Sequence, residues 1–247
     1  MTKFKPKELY FGTPGIPIRT EPRETVNGVR EVKKLGLGAM ELEFVRMINI
    51  NKDKAPIVKE TASKEGIVMT SHGQYFVNLA SLKKETIHAS VGRMVDAAVR
   101  ASECGAYSIT WHAAFYQGRE KELIYKMVKD GFKEVLKKVH DKGIKDIWLR
   151  PETMGKPTQW GDLKEVLKLS SEVEGVLPCI DWSHLHARTI GKNNTLKEFK
   201  EMLGEYEKVL GREGLNNMHC HLSGINYGEK GEKNHLVLKE SDMNYKD

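Results

Sequence analysis

A parallel (β/α)8 barrel is the fold class that this sequence predicts, on three observations. Short apolar runs of strand length alternate with stretches of helical periodicity along the whole chain. Five of those runs end in a histidine or a carboxylate, the residue types found at the carboxyl ends of barrel strands that carry chemistry. No glycine-rich G-x-G-x-x-G follows the first run, which counts against a doubly wound dinucleotide-binding sheet. The class is therefore α/β, a TIM-type barrel, since alternating strands and helices make a parallel sheet.

The elements follow in order. Residues 9–17 read as the first strand and its loop, and 25–36 as an amphipathic helix closed by Gly36. The run AMELEFVRM (39–47) is the second strand and IVMTSH (67–72) the third. Apolar residues at helical spacing mark a long helix over 86–105, and YSITWH (107–112) is the next strand. A Lys-rich helix ends at Gly143, DIWLRPE (146–152) is a strand, and a helix covers 162–173. LPCID (177–181), a helix over 195–211 closed by Gly211, and MHCHL (218–222) complete the pattern, with MHCHL as the seventh strand.

At 247 residues the chain fits a single barrel domain, 1–247, and no repeat or low-complexity linker divides it. Apolar residues are 39% and charged residues 30%, ordinary for a soluble globular chain. No apolar stretch approaches the roughly 18 residues of a membrane span. The start, MTKFKPKELYFG, lacks an apolar signal region. Cys104, Cys179 and Cys220 form no CxxC pair and are expected to be buried reduced thiols, which predicts a cytoplasmic protein. The net charge of +6 permits a polyanionic partner without demanding one, because many lysines sit among glutamates on helix faces such as 121–143.

The strand ends carry the chemistry. His72, His112, Glu152, Asp181 and His221 all fall at carboxyl ends, His184 follows Asp181 by three residues, and His235 adds a further candidate. Side chains two apart on a strand share a face and differ in height by about 6.6 Å. His221 therefore reaches the rim, with His219 one layer deeper. Imidazole and carboxylate together suit Zn, Mn or Fe, and a mononuclear zinc site needs only about three protein ligands. The surplus argues for two or three ions with a bridging carboxylate, an arrangement suited to in-line displacement at phosphorus. A single strand-end histidine is more often structural, but five strand ends together are not expected by chance. His88 and His140 lie on helices and are expected at the surface; His186 stays open between loop surface and substrate contact.

Several segments resemble the endonuclease IV family of AP endonucleases, from about residue 9 to the end of the chain. FGTPGIP and GLGAMELEFV are similar to its first two strands, and SHGQYFVNLAS to its His-x-x-Tyr-hydrophobic-x-Asn-Leu segment. CIDWSHLHA is similar to its Cys-Ile-Asp-x-x-His motif, and HLSG to its His-Leu-Asn/Ser-Asp. The resemblance implies a zinc-dependent TIM barrel, with Mn possible, that cuts DNA on the 5′ side of an abasic site. It implies that His72 and His112 hold one ion, that the catalytic Glu152 bridges it to a second held by Asp181 and His221, and that His184 and His235 hold a third. Tyr75 and Phe76 match the residues the family pushes into the duplex. The implied partner is double-stranded DNA with abasic sites, with no membrane, and the chain is expected to be a monomer.

Three departures accompany the resemblance. Lys233-Asn234-His235 stands where the family has Asp-x-His, and a lysine cannot replace that carboxylate, so the third ion is expected to be weakly held or absent. ETMGK is one residue shorter before its glycine than the common form. The eighth strand and the final glutamate ligand have no counterpart, so the barrel is expected to be truncated at the C-terminus, with a last helix starting near SDMNYKD. Two other readings stay open: a sugar isomerase- or epimerase-like barrel, and a catalytically impaired member that only binds damaged DNA.

Overall fold

Strand and helix alternate as the periodicity requires, with additional short elements at the ends of the strands. The computed structural model describes residues 4–247; residues 1–3, part of the segment read as lacking a signal region, lie outside the described residues. In chain order come β1 (Gly12–Pro14), α1 (Thr25–Lys34), β2 (Ala39–Glu43), α2 (Ala55–Glu65), β3 (Val68–His72), α3 (Lys84–Glu103), β4 (Ala106–Trp111) and β5 (Ala114–Phe115). Then follow α4 (Lys121–Asp141), β6 (Trp148–Pro151), β7 (Gln159–Trp160), α5 (Leu163–Glu172), β8 (Cys179–Asp181) and α6 (Trp182–Arg188). The chain continues with α7 (Leu196–Leu215), β9 (His219–His221), β10 (Gly224–Gly228), β11 (Gly231–Leu236) and a 3-10 turn at Leu238–Glu240.

Differences from the sequence reading have local causes. Helix α2 was not expected; it begins with Pro at its first turn and ends at Gly66, whose φ of 68° terminates it. Helix α6 is short and starts directly from Asp181, whose side chain accepts from the His184 N–H as its N-cap. Gly211 does break α7, at φ 70° and ψ 176°, but a further helical turn follows to Leu215. After β9 the chain forms the antiparallel β10–β11 hairpin, and 242–247 adopt no regular structure where a last helix was expected.

Two compact units make up the chain. The first comprises the chain through Val77, His88–Trp111 and Glu134–Leu149. Strands β1, β2, β3 and β4 pair in parallel there, in chain order, with β6 next in the same sheet. Its core holds Met40, Phe44, Met94, Ile109, Trp111 and Leu149, and all six residues of β4 are buried. A strand covered on both faces reads as a continuous rather than alternating apolar run, as expected of a parallel sheet flanked by helices.

The second unit comprises Asn78–Ile87, His112–Lys133 and Arg150–Asp247, with a core of Leu79, Ile124, Phe132, Trp160, Leu167 and Tyr206. Strands β8 and β9 pair in parallel, and Glu152 bridges to Cys179 in the same sense. The buried Arg150 donates to the carbonyls of Pro178 and Asn217, tying the starts of these strands together. Cys104 and Cys179 are buried as expected, and burial pushes the Cys104 thiol up to about 12. Cys220 is exposed, against expectation, because it points from the opposite face of β9 to His219 and His221. No helix among the described residues is long and apolar enough to cross a membrane.

The segment after β11 is fastened to α6 and β10. His186 is fully buried; its Nδ1 donates to the Lys192 carbonyl at 2.9 Å, and its Nε2 lies 3.1 Å from Asp242 Oδ1. Tyr227 donates to Asp242 Oδ2 at 2.6 Å. His186 is thus a structural residue, neither loop surface nor substrate contact. Partial burial would raise the Asp242 pKa, but the hydrogen bonds from Tyr227 and His186 outweigh it and hold the carboxyl below 3.8. We expect Asp242→Asn to cost about 1 kcal/mol, at the low end for bonds to a charged group because the site is largely exposed. That corresponds to a Tm lower by roughly 2–4 °C near neutral pH. The carboxylate's contribution is present above its unfolded value and lost as pH falls through the lower folded one. The gap between wild type and variant in scanning calorimetry should therefore close in acid.

Candidate metal centre

The strand-end residues fall where the pleat puts them, and their hydrogen bonds fix which atoms can ligate. His72 ends β3 in the first unit and is buried. Its Nδ1 lies 2.8 Å from the Gly73 carbonyl, which can only accept, so Nδ1 carries the proton and Nε2 keeps the lone pair. Its ring meets Tyr75 edge-on, with centroids 5.3 Å apart.

The other six predicted ligands all lie in the second unit. Glu152, directly after β6, is 1% exposed. His221 Nδ1 lies 3.0 Å from its Oε1, and His112 Nε2 lies 3.4 Å from its Oε2. Burial alone would raise the Glu152 pKa, but the two imidazoles hold it well below the ordinary carboxylate range. The result is an ionised carboxylate with histidines on both oxygens.

Asp181 ends β8 and is 3% exposed. Its Oδ1 accepts from the His184 N–H at 2.8 Å, and its own N–H donates to Thr153 Oγ1 at 2.8 Å. The cap rotates the first turn of α6 so that His184 enters the site, 1% exposed. His184 Nδ1 donates to the Thr153 carbonyl at 2.8 Å, which leaves the lone pair on Nε2.

That Nε2 is buried without a hydrogen-bond partner, and it faces Glu232 Oε2 at 3.6 Å. His235 completes the group, its ring 5.2 Å from that of His184 and its Nδ1 2.8 Å from Ser223 Oγ. Burial works against a charge on His184, but Asp181, Glu152 and Glu232 raise its pKa above 6.5. Two lone-pair acceptors facing each other across a buried gap repel unless a cation or a proton stands between them.

Glu232 went unread in the sequence, and it is a carboxylate that the expectation built on Lys233 did not count. The pairing of β10 with β11 slips between Asn226–Asn234 and Tyr227–Glu232, so Lys233 is an extra residue in a β-bulge. The bulge resets the alternation and puts Glu232 on the face of His235. The carboxylate that Lys233 cannot supply comes from the residue before it. Glycines make room for it: a Cβ on Gly155 would lie 2.7 Å from Glu232 Oε2, and one on Gly231, at φ 83°, would lie 2.4 Å from the Gly155 carbonyl. The Glu232 N–H donates to that carbonyl at 3.0 Å. The turn signal GEKGEK, with glycines either side of a two-residue loop, was the trace of this hairpin in the sequence.

The donor set fits divalent cations of the zinc or manganese class. His184, Glu232 and His235 present ligand atoms within 4.8 Å of one another, and Glu152 and Asp181 lie beside them. The buried unpartnered Nε2 of His184 is the atom such an ion would satisfy. His88 and His140 are exposed on α3 and α4, as expected.

Tyr75 and Phe76 lie in the first unit on the loop after β3, outside any helix, and are 51% and 62% exposed. The backbone beneath them is pinned: the Tyr75 N–H donates to the Val45 carbonyl at 2.9 Å, and Arg93 donates to the Phe76 carbonyl at 3.0 Å.

Comparison with known proteins places this geometry. An uncharacterized protein of Methanocaldococcus jannaschii is 41% identical over 97% of this chain and 85% of its own length. A probable endonuclease 4 of Staphylococcus aureus is 25% identical over 76% of this chain, a match that spans 62% of that enzyme. Among solved structures, endonuclease IV from Thermus thermophilus superposes with a TM-score of 0.72 at 18% identity, over 94% of this chain and 82% of that one. A D-tagatose 3-epimerase-like protein superposes with a TM-score of 0.70 at 15% identity, over 96% and 83%. The family described as xylose isomerase-like TIM barrel matches residues 29–247. With strands and helices alternating in the order that fold demands, the chain belongs to the xylose isomerase-like TIM barrel family.

Proposed function

We propose that this protein is a metal-dependent phosphodiesterase that cuts double-stranded DNA on the 5′ side of abasic sites, a cytoplasmic base excision repair enzyme. The observation that carries the reading is the buried His184 Nε2 set against the Glu232 carboxylate, beside the ionised Glu152. That much negative charge and imidazole at one rim suits a cluster of ions better than a lone structural ion. Bound zinc or manganese ions would supply Lewis-acid stabilisation of charge at phosphorus and lower the pKa of a bound water.

The chain's own residues prepare that chemistry. Glu152 stays ionised while buried, with His112 and His221 orienting its two oxygens. Asp181 turns the first turn of α6 inward and so aims His184. Glu232 and His235 complete the set from β11. Tyr75 and Phe76 suit insertion into a duplex: their rings are exposed on an anchored loop, and apolar wedges unstack base steps most cheaply at a lesion. The net charge of +6 favours a polyanion.

The direct test is incision of an abasic duplex by metal-loaded protein. Strand cleavage with a 3′-hydroxyl is expected, abolished by Glu152→Gln; no cleavage by the loaded wild type would sink the reading. Epimerisation of a ketose without incision would instead align the chain with the epimerase structures that share its fold. Tyr75→Ala should weaken binding to abasic DNA while leaving metal content unchanged, measured by fluorescence anisotropy. Base–aromatic contacts are worth about 1–3 kcal/mol, so a loss of roughly 5- to 150-fold is expected. Glu232→Ala should lower zinc affinity by more than the roughly 10- to 100-fold that losing an outer-shell partner costs, whereas Lys233→Ala should change it little. Competition with a chromophoric chelator reads both. Gly155→Ala should resemble Glu232→Ala, because its methyl group would occupy the carboxylate's place.

A further inference from the structure

The hairpin brings His235 to the metal group from an exposed position, whereas His184 is buried. Packing does not fix an exposed imidazole, so its tautomer and ring orientation must come from the hydrogen bond on its other nitrogen. Ser223, between β9 and β10, supplies that bond, with its Oγ 2.8 Å from His235 Nδ1. Behind it stands Ser183, fully buried in the first turn of α6 and immediately before His184. Ser183 Oγ lies 2.8 Å from the Ser223 carbonyl oxygen, 2.8 Å from the Ser223 nitrogen and 3.3 Å from Ser223 Oγ.

Proton counting along this chain of bonds leaves one arrangement. A hydroxyl has a single hydrogen to give and lone pairs with which to accept. The Ser223 carbonyl can only accept, so the Ser183 hydrogen goes there. Toward the Ser223 N–H and the Ser223 hydroxyl, Ser183 Oγ then only accepts. The Ser223 hydrogen is therefore spent on Ser183, and Ser223 Oγ accepts from His235 Nδ1–H. A neutral imidazole protonated at Nδ1 keeps its lone pair on Nε2.

We propose that Ser183 and Ser223 are positioning residues of the metal centre, a serine relay that fixes the tautomer and orientation of His235 so that its Nε2 joins His184 and Glu232 around an ion of the zinc class. The relay presupposes the metal centre proposed above but not its DNA substrate. It also couples two members of one group. Ser183 rides on α6 beside His184, and Ser223 carries its influence across to β11, so the helix that aims one histidine sets the other. The Thr153 carbonyl does for His184 what the two hydroxyls do for His235.

Two measurements on the full-length protein test the relay. Long-range ¹H–¹⁵N spectra of the metal-free protein at mildly alkaline pH should show His235 protonated at Nδ1, and a shift toward the Nε2–H tautomer in Ser223→Ala and Ser183→Ala. Zinc competition against a chromophoric chelator should show the weakest binding step loosened by roughly 10- to 100-fold in Ser223→Ala, the cost of losing an outer-shell partner. Ser241→Ala separates this from a merely structural role. The Ser241 hydroxyl pins the same hairpin through backbone groups, accepting from the Ile225 N–H at 3.0 Å and donating to the Ile225 carbonyl at 3.1 Å. Its loss should lower Tm while leaving zinc affinity and the His235 tautomer unchanged. An Nε2-protonated His235 in the wild type, unchanged zinc affinity in Ser223→Ala, or an equal loss in Ser241→Ala would overturn the proposal. A wild type that binds no zinc would sink the metal centre and the relay together, whereas zinc binding with the expected variant effects but no incision would sink the DNA reading alone.

Discussion

Three carboxylates converge on one buried imidazole, and much of the second unit is arranged to make that tolerable. Asp181, Glu152 and Glu232 all act on His184, which is itself almost wholly removed from water. Ionised carboxylates out of water are costly unless something positive joins them, and the penalty is paid in stability until it does. A proton on His184 can play that part, and so can a divalent ion. The site is built for positive charge, and the folded chain is least strained electrostatically when it has some.

Holding the site in that state depends on backbone geometry more than on side-chain packing. Thr153 locks the His184 tautomer through its carbonyl and the Asp181 backbone through its hydroxyl. Arg188, on the same helix as His184, donates to the carbonyls of Met154, Lys156 and Gln159 and so fixes the loop that carries Gly155. The hairpin then docks on that loop, with Gly231 and Gly155 in contact. Each device constrains an element whose own hydrogen bonding would leave it loose.

Much of this was legible in the sequence, for definable reasons. Strand ends are bounded by composition, and a ligand at a strand end announces itself by being the wrong residue for an apolar run; His112, Glu152, Asp181 and His221 were all visible that way. What stayed hidden breaks a period. Glu232 lies on the wrong side of a simple alternation from His235, and only the bulge at Lys233 restores it. Helix α6 was hidden because its cap, Asp181, reads first as a ligand. Exposed Cys220 shows the converse, since strand membership says that a residue faces one side or the other but not which side is covered.

The loop that carries Gly155 and the bulge in β11 have a joint consequence for how this ligand set can be altered. Gly155 lies so near the hairpin that a Cβ there would meet Glu232, and the bulge at Lys233 is what turns that carboxylate toward it. A change to either segment alone would leave a gap at the imidazole or a collision. The two segments therefore behave as a single heritable cassette. Exchanged together between relatives they should carry the ligand set with them, and exchanged singly they should not.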